Sequence, residues 1–224
     1  MGVLVIDHHE AEKVSEYACV INNQLSKNYS NKTLSGVGVV YKFCQYIDKF
    51  LGQDYANNLL DLVAVGMVSD MMDLRNFETR ELITQGVNNL RNPFICEFVE
   101  EQHYSLKGEI TPFGISFYIA PYINATIRIG TLDEKLLLFE SMLEFRAYEL
   151  IPSTKRGCKG QLETRVEQAA RTCKNIKSRQ TKARDTSLDI IKENIKKNNL
   201  LNNPILIIQL DNPIEENLTG LIAN

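Results

Sequence analysis

The chain has 224 residues, of which 44% are hydrophobic and 24% are charged, and its formal net charge at pH 7 is −3. No stretch approaches the ~20 consecutive apolar residues that a bilayer-spanning helix needs, and we predict neither a membrane span nor a signal peptide. The five cysteines form no Cys-x-x-Cys pair, which argues against a disulfide framework or a zinc–thiolate site and favours a cytoplasmic protein with reduced thiols.

The most informative stretch begins at Val3, where four apolar residues run directly into Asp7, His8 and His9. This pattern predicts a buried parallel strand that presents polar side chains at its C-terminal end, the end at which open α/β sheets bind ligands. Imidazoles ligate metals and a neighbouring carboxylate can ligate or orient them, so the three side chains indicate a metal site. An exposed polar turn is the alternative.

The other predicted elements are mostly helices with apolar periodicity. Ser35 is expected to cap the first of them, and Pro93 to lie in the first turn of another. In chain order we predict a strand over Tyr17–Ile21, a loop over 22–33, helices over Gly36–Phe50, Asn57–Val68, Thr79–Leu90, Pro93–Glu101 and Asp133–Phe145, a basic loop over Ser153–Gly160, one long helix over Gln161–Leu200, a strand over Ile205–Ile208 and the start of a helix over Leu218–Asn224.

Asp70 closes one of the apolar helices, at a position where the helix dipole disfavours negative charge. A bound cation would reverse that penalty, so Asp70 is a candidate metal ligand. Asp73, just beyond it, fits a solvated turn.

Asn124 and Arg128 are four residues apart in an apolar stretch, a spacing that places both on one face of a helix. An amide and a guanidinium in this arrangement suit a phosphate, which arginine binds bidentately. The alternative is a buried Asn–Arg pair that ties loops together.

Basic residues are concentrated between Lys155 and Arg184, where ten lysines and arginines face two glutamates. A solvated helix face is the usual meaning of such a run, but a local basic stripe is also the electrostatic footprint of a nucleic-acid contact.

Four motifs occur in a fixed order: Asp7-His-His, Gly36-Val-Gly, Gly66-Met-Val-Ser-Asp70 and Ile123-Asn-Ala-Thr-Ile-Arg-Ile-Gly130. Together they resemble the DHH phosphoesterase superfamily and, within it, the RecJ single-stranded-DNA-specific exonucleases, including a phage-associated form. The resemblance implies an α/β fold with a partial DHH-type parallel sheet, flanking helices, a long connecting helix and the first strand of a second α/β domain. It divides the chain into a DHH domain that lacks its N-terminal strands (1–150), a basic loop with the connecting helix (151–202), and the truncated start of the DHH-associated C-terminal domain (203–224).

The resemblance also implies two divalent cations, Mn²⁺ or Mg²⁺, that activate a water for phosphodiester hydrolysis. Carried over by position, His8 and Asp70 would ligate a metal, His9 would contact the scissile phosphate and Asp7 would orient the site. The expected phosphate-binding residues are Asn124, Arg128 and Arg179.

The chain also departs from the family pattern, because it contains no Asp-x-Asp motif and has isoleucine at position 127. Only six residues precede Asp7, so we expect part of one metal site and weak Mn²⁺ binding by this chain alone. Another chain is one source of the missing aspartates that the sequence leaves open. The expected activity is 5′→3′ degradation of single-stranded DNA in repair or recombination. The alternatives are a phosphodiesterase for oligonucleotides or cyclic dinucleotides and a non-catalytic DNA-binding homologue. A serine or cysteine hydrolase lacks support because His103 has no partner motif.

Overall fold

The computed structural model describes residues 2–13, 15–209 and 216–223. Strands β1 (Leu4–Asp7) and β2 (Cys19–Asn22) form a parallel pair in which Asp7 lies opposite Asn22. Both strands therefore end at the same edge in polar residues, and both sequence predictions of a strand are confirmed.

The predicted burial of β1 is wrong. Val3, Leu4 and Val5 are 54%, 46% and 39% exposed. Among the described residues β1 pairs only with β2, and helix α1 (Gly36–Leu51) packs against it. Burial of a strand depends on what covers its two faces, which the apolar run itself does not specify.

Nine helices precede the second strand pair within the described part of the chain. After α1 they are α2 (Leu60–Ser69), α3 (Phe77–Val87), α4 (Pro93–Glu101), α5 (His103–Leu106), α6 (Pro112–Tyr118), α7 (Ala120–Ile129), α8 (Leu132–Ser141) and α9 (Glu144–Ala147). None of the helices in the described part of the chain is both long and apolar enough to traverse a bilayer.

The predicted helix boundaries shift where a cap or a turn intervenes. The predicted helix over Asn57–Val68 begins as a 3₁₀ turn and becomes α2 only at Leu60. Helix α3, capped by Asn76, begins at Phe77, two residues ahead of the predicted start at Thr79. The single helix predicted over Asp133–Phe145 is instead two helices, α8 and α9.

Ser35 occupies the predicted N-cap position of α1, but its side chain makes no capping hydrogen bond. The predicted N-cap position is therefore confirmed, although the Ser35 hydroxyl does not supply the cap. The Asn92 side chain does cap α4, accepting from the backbone N–H groups of Phe94 and Ile95, and Pro93 lies in the first turn as predicted.

Helix α2 lies at the centre of the hydrophobic core, where it packs against α1, α3, α6 and α7. Helix α2 crosses α1 and α3 at short distances because a glycine lies at each contact point. A Cβ at Gly66 would lie 2.5 Å from Val37 Cγ1 of α1, and a Cβ at Gly86 of α3 would lie 2.1 Å from the carbonyl oxygen of Leu60. Gly66 thus lets the Val37 side chain of α1 lie directly against the backbone of α2, and these two helices flank the candidate site.

The basic loop is the tip of an antiparallel hairpin formed by β3 (Leu150–Pro152) and β4 (Leu162–Thr164), which the sequence analysis did not predict. Helix α10 (Arg165–Lys197) then runs for 33 residues, confirming one long helix. It starts later than predicted because the Thr164 hydroxyl and the Glu167 carboxylate form a reciprocal capping box.

The strand predicted over Ile205–Ile208 is not formed. No strand is assigned there, and Ile205 and Ile207 are 72% and 77% exposed. Helix α11 (Glu216–Ile222) confirms the helix predicted near Leu218, whose side chain is buried. Residues 210–215 and Asn224 of the predicted third segment lie outside the described residues.

Candidate metal centre

The end of β1 brings Asp7, His8 and His9 together. One ligand atom from each of the three side chains lies within 4.8 Å of the others. His9 Nδ1 and Asp7 Oδ1 are hydrogen bonded at 2.8 Å, and this bond is the largest cause that lowers the pKa of Asp7. The imidazole rings of His8 and His9 are tilted against each other with centroids 4.3 Å apart.

Asp70 approaches this cluster from a segment more than sixty residues later in the chain. His8 Nε2 lies 3.9 Å from Asp70 Oδ2, and the two side chains are 20% and 50% exposed. Asp70 follows directly after α2, and its N–H donates to the carbonyl of Gly66. The next residue, Met71, adopts a positive φ of 52°, which ends the helix at once. The predicted convergence of His8 and Asp70 is present in the structure.

The N-terminus of α1 lies beside the His8 ring. A Cβ built on Gly36 would be 3.5 Å from His8 Cδ2, an ordinary van der Waals distance. The first glycine of the predicted Gly36-Val-Gly38 motif therefore packs against the histidine, while a Cβ at Gly38 would lie 3.2 Å from the Leu34 side chain. Both glycines serve packing, and the first does so at the candidate site.

The donor set fits a divalent cation. Bonds from Mg²⁺-type ions to protein ligands are about 2.1 Å long, so two of them reach across about 4.2 Å. The 3.9 Å between His8 Nε2 and Asp70 Oδ2 falls within that reach. Carboxylate oxygens suit Mg²⁺ and Mn²⁺, and imidazole suits first-row transition metals, so a mixed set accommodates Mn²⁺.

Asp73 does not join the cluster through any hydrogen bond or ion pair of the described residues. Its carboxylate instead forms a bidentate pair with Arg75, at 2.7 to 3.0 Å. The side-chain hydrogen bond from Arg75 lowers the pKa of Asp73 to about 2. Asp73 is thus a turn residue paired with Arg75, which agrees with its interpretation from the sequence as a solvated turn residue.

Two side-chain amides hold the main-chain carbonyls of His8 and His9, and neither amide was predicted from the sequence. Asn22 and Gln24, at the end of β2 and in the loop after it, donate to the main-chain carbonyls of His9 and His8. The only signal in the sequence was a polar Asn-Asn-Gln run at the end of a strand, which reads equally well as an ordinary loop.

Asn124 and Arg128 lie on α7 with the predicted helical spacing, the first half-buried and the second exposed. Neither forms a hydrogen bond or ion pair with the Asp7–His9 cluster among the described residues. Arg128 lies near Lys177 of α10: burial lowers the pKa of Lys177 first, and the charges of Arg184 and Arg128 lower it further. Arg128 of α7 and Lys177 of α10 are thus neighbouring cations where the two helices pack, whereas Arg184 is paired with Asp185.

Most of the basic stripe is paired with carboxylates. Six of its ten cations take part in ion pairs, namely Lys155, Arg165, Arg171, Lys174, Arg179 and Arg184. Their partners include Glu101 and Glu134 from other helices. Within the described residues the cations without an ion pair are Arg156, Lys159, Lys177 and Lys182. The positive charge is therefore weaker than the composition of the stripe indicates.

Arg179 shows how the stripe is neutralised. Its guanidinium donates to both carboxylate oxygens of Glu134 at 2.9 and 3.2 Å. That pairing is the largest cause of the lowered pKa of Glu134. A phosphate contact by Arg179 would have to replace this carboxylate.

Residues 1–67 match the model of the DHH family, N-terminal domain. A Bacillus subtilis (strain 168) protein named as a putative SPbeta prophage-derived single-strand DNA-specific exonuclease, YorK, is 41% identical over 226 residues, which cover 99% of this chain and 38% of that protein. The single-stranded-DNA-specific exonuclease RecJ of the same organism is 32% identical over 155 residues, covering 67% of this chain and 19% of RecJ. The chain thus spans well under half the length of these relatives.

Solved structures agree with the fold. A crystal structure of exonuclease RecJ bound to manganese superposes with a TM-score of 0.75 at 21% identity, covering 99% of this chain and 51% of that one. RecJ from Thermus thermophilus in complex with Mn²⁺ superposes with a TM-score of 0.70 at 19% identity, covering 99% of this chain and 30% of that one. At these identities the similarity establishes the fold.

Proposed function

This chain is of the DHH and RecJ type, and on that premise we propose that it carries part of the metal centre of a nuclease that hydrolyses phosphodiester bonds in single-stranded DNA. The observation that carries the proposal is the 3.9 Å approach of His8 Nε2 and Asp70 Oδ2 beside the hydrogen-bonded Asp7–His9 pair. Two segments far apart in the sequence supply imidazole and carboxylate groups to one polar edge, a donor set suited to metal-assisted hydrolysis.

In this proposal His8 and Asp70 hold a Mn²⁺ or Mg²⁺ ion. When bound, such an ion polarises the phosphate and lowers the pKa of a coordinated water. Asp7 fixes the orientation of the His9 ring by accepting from Nδ1, which leaves Nε2 available to a phosphate oxygen. A carboxylate that orients an imidazole is a common arrangement around metal centres.

Asn124 and Arg128 are proposed to hold phosphates of the DNA strand further from the metal. Arg128 lies near Lys177, and two neighbouring cations that repel each other gain by binding a phosphate. Arg179 is a weaker candidate because Glu134 occupies its guanidinium. Exposed ion pairs contribute only about 1 kcal/mol or less, so a phosphate can replace that carboxylate.

The finer assignment rests on the resemblance to RecJ. It comprises 5′→3′ polarity, a role in DNA repair or recombination in the cytoplasm, and the division of the chain into 1–150, 151–202 and 203–224. A two-metal site needs more ligands than the one imidazole of His8 and the one carboxylate of Asp70. We therefore include in the proposal another polypeptide that supplies the remaining aspartates.

The test measures Mn²⁺-dependent release of nucleotides from single-stranded DNA labelled at either the 5′ or the 3′ end. The wild-type chain is compared with Asp70→Ala and with the matched variant Asp73→Ala, which removes a carboxylate three residues away that pairs with Arg75. Because the chain is proposed to hold only part of the centre, we expect weak Mn²⁺ binding, measured by calorimetry, that is lost in Asp70→Ala and retained in Asp73→Ala. Any nucleotide release should follow the same pattern, with the 5′ label released first.

Equal activity of the wild type and Asp70→Ala would refute the role of this cluster. Salt-sensitive binding of single-stranded DNA, with Mn²⁺ binding that Asp70→Ala does not change, would favour the non-catalytic DNA-binding homologue. Hydrolysis confined to oligonucleotides of a few residues or to cyclic dinucleotides would favour the phosphodiesterase alternative.

A further inference from the structure

The polypeptide leaves the β1–β2 ladder directly after Asp7, whose partner in the register is Asn22. His8 and His9 therefore follow the last residue of the strand pair, where ladder hydrogen bonds no longer fix the backbone. Ring orientation depends on the direction of the Cα–Cβ bond, and that direction depends on the peptide planes on either side. Something other than the ladder has to fix those planes.

Asn22 binds the histidine pair on one side and the following loop on the other. Its Nδ2 donates to the carbonyl oxygen of His9 at 2.9 Å. Its Oδ1 accepts from the backbone N–H of Gln24 at 2.7 Å and from that of Leu25 at 3.3 Å. The side chain is nearly buried, with the residue 6% exposed, so both ends of the amide are engaged away from bulk water.

Gln24 acts on the preceding peptide. Its Nε2 lies 3.3 Å from the carbonyl oxygen of His8 and 2.8 Å from that of Lys32. Consecutive carbonyls, those of His8 and His9, are thus held by two amides from neighbouring positions. Together the two contacts fix two consecutive peptide planes, the one that follows His8 and the one that follows His9.

The loop that follows these amides is itself fixed. Asn31 and Tyr29 donate to Oε2 of Glu78 in the first turn of α3, at 3.0 and 2.7 Å. Lys42 of α1 pairs with Oε1 of the same carboxylate at 2.6 Å. Burial raises the pKa of Glu78, but hydrogen bonds from Lys42, Tyr29 and Asn31 outweigh it, and the net pKa is lowered.

Glu78 lies eight residues after Asp70, so its contacts join the two halves of the candidate centre. One half is the end of β1, held by the amides of Asn22 and Gln24. The other is the segment between α2 and α3 that begins at Asp70. The half-buried carboxylate connects the segment that supplies the imidazoles to the segment that supplies the aspartate.

We propose that Asn22 is a positioning residue of the metal centre, assisted by Gln24. The Asn22 amide fixes the main-chain carbonyl of His9 and the Gln24 amide fixes that of His8; together they aim the two imidazoles without touching the metal itself. This inference rests on the proposed function for its metal, but the orientation of the rings can be tested with no metal present.

Asn23 provides a matched control. It is the adjacent asparagine and is equally buried, with 4% exposure. Its Nδ2 also donates to main-chain carbonyls, those of Asn31 and Leu34, each at 3.4 Å. Neither acceptor belongs to the histidine pair, so Asn23→Ala removes a comparable contact with no expected effect on ring orientation.

The first readout is an NMR spectrum of the metal-free chain with labelled histidine side chains. The chain has three histidines, and His103 on α5 serves as the internal reference. We expect Asn22→Ala to shift the imidazole resonances of His8 and His9 and leave that of His103 in place. Asn23→Ala should leave all three unchanged. Equal shifts in both variants, or no shift in Asn22→Ala, would overturn the proposal.

The second readout is the dissociation constant for Mn²⁺, measured on chains whose folded fraction is checked by urea unfolding. Loss of a group that orients metal ligands weakens binding about tenfold or more, so we expect that loss in Asn22→Ala and less than about threefold in Asn23→Ala. Equal weakening in both variants would mean a purely structural role for Asn22. Should Asn22→Ala not fold, Gln24→Ala is read in the same two assays, with the same direction expected.

The two readouts separate this inference from the proposed function. A wild-type chain that binds no Mn²⁺ would count against the metal centre. The metal-free spectra of the variants would still decide whether Asn22 aims the imidazoles.

Discussion

The close crossing of α1 and α2 gives the most discriminating prediction, because the two helices flank opposite sides of the candidate centre. Gly66 lies in the interior of α2, and a Cβ there would be 2.5 Å from Val37 Cγ1 and 3.3 Å from Val37 Cβ. Carbon atoms in contact are normally about 3.5 to 4.0 Å apart. A helical valine strongly prefers one χ1 rotamer, so Val37 cannot simply rotate away. Gly66→Ala must therefore move one helix relative to the other.

The magnitude follows from two opposing contributions. Inserting a methyl group into a packed core destabilises by about 1–3 kcal/mol. Replacing glycine by alanine inside a helix offsets about 0.5–1 kcal/mol of that. We expect Gly66→Ala to lower the free energy of unfolding by about 1–2 kcal/mol, and to weaken Mn²⁺ binding because the movement separates His8 from Asp70.

Val37→Ala removes both methyl groups of Val37, including Cγ1, the atom that collides with the new Cβ. The combination of Gly66→Ala with Val37→Ala should therefore be about as stable as Val37→Ala alone, with a coupling of about 1 kcal/mol or more between the two sites. Urea unfolding of the four chains measures this coupling. Additive effects, or a Gly66→Ala chain at least as stable as the wild type, would refute the helix crossing as the frame of the site.

Three further predictions concern stability and are checked by urea unfolding followed by circular dichroism. Gly86→Ala should destabilise the fold by about 2–3 kcal/mol, since the new Cβ would lie 2.1 Å from the carbonyl oxygen of Leu60 in α2. Gly220→Ala is the control: its new Cβ would have nothing within 4 Å, so this variant should be neutral or stabilising. Thr164→Ala should cost about 1 kcal/mol by removing the cap of α10. Glu163→Gln should destabilise at neutral pH, because the carboxylate is buried against Arg171. The hydrogen bond from Arg171 is the largest cause lowering the pKa of Glu163 in the folded chain. The extra stability of the wild type over Glu163→Gln is therefore complete above the unfolded pKa of about 4.3 and should shrink as the pH falls below it. Urea unfolding across an acid pH series measures this change.

Some of the fold and the candidate site could be predicted because the signals are local. The change from four apolar residues to Asp7-His-His is contained within one short stretch, and it placed the polar end of β1 correctly. Asp70 was found from its position after an apolar helix. The length of α10 followed from a run without glycine or proline.

The errors concern features that depend on distant partners. The exposure of β1 and the missing strand at Ile205–Ile208 both depend on which neighbours are available, because a strand needs partners for its backbone groups and cover for its faces. The basic stripe looked uncompensated because Glu101 and Glu134, which neutralise part of it, belong to other helices. Charge counted along the sequence does not show which carboxylates the fold brings alongside.

The residues that orient the site are harder to predict than those that form it, for a chemical reason. A metal ligand must be one of a few residue types, so Asp7, His8 and Asp70 are recognisable from their identities. Asn22 contacts a main-chain carbonyl, a group that almost every residue offers in the same form. The sequence therefore carries no mark on the acceptor side of that hydrogen bond, and an asparagine at the end of a strand predicts a turn equally well. Positioning residues of this kind become visible only when the fold shows which carbonyl the amide reaches.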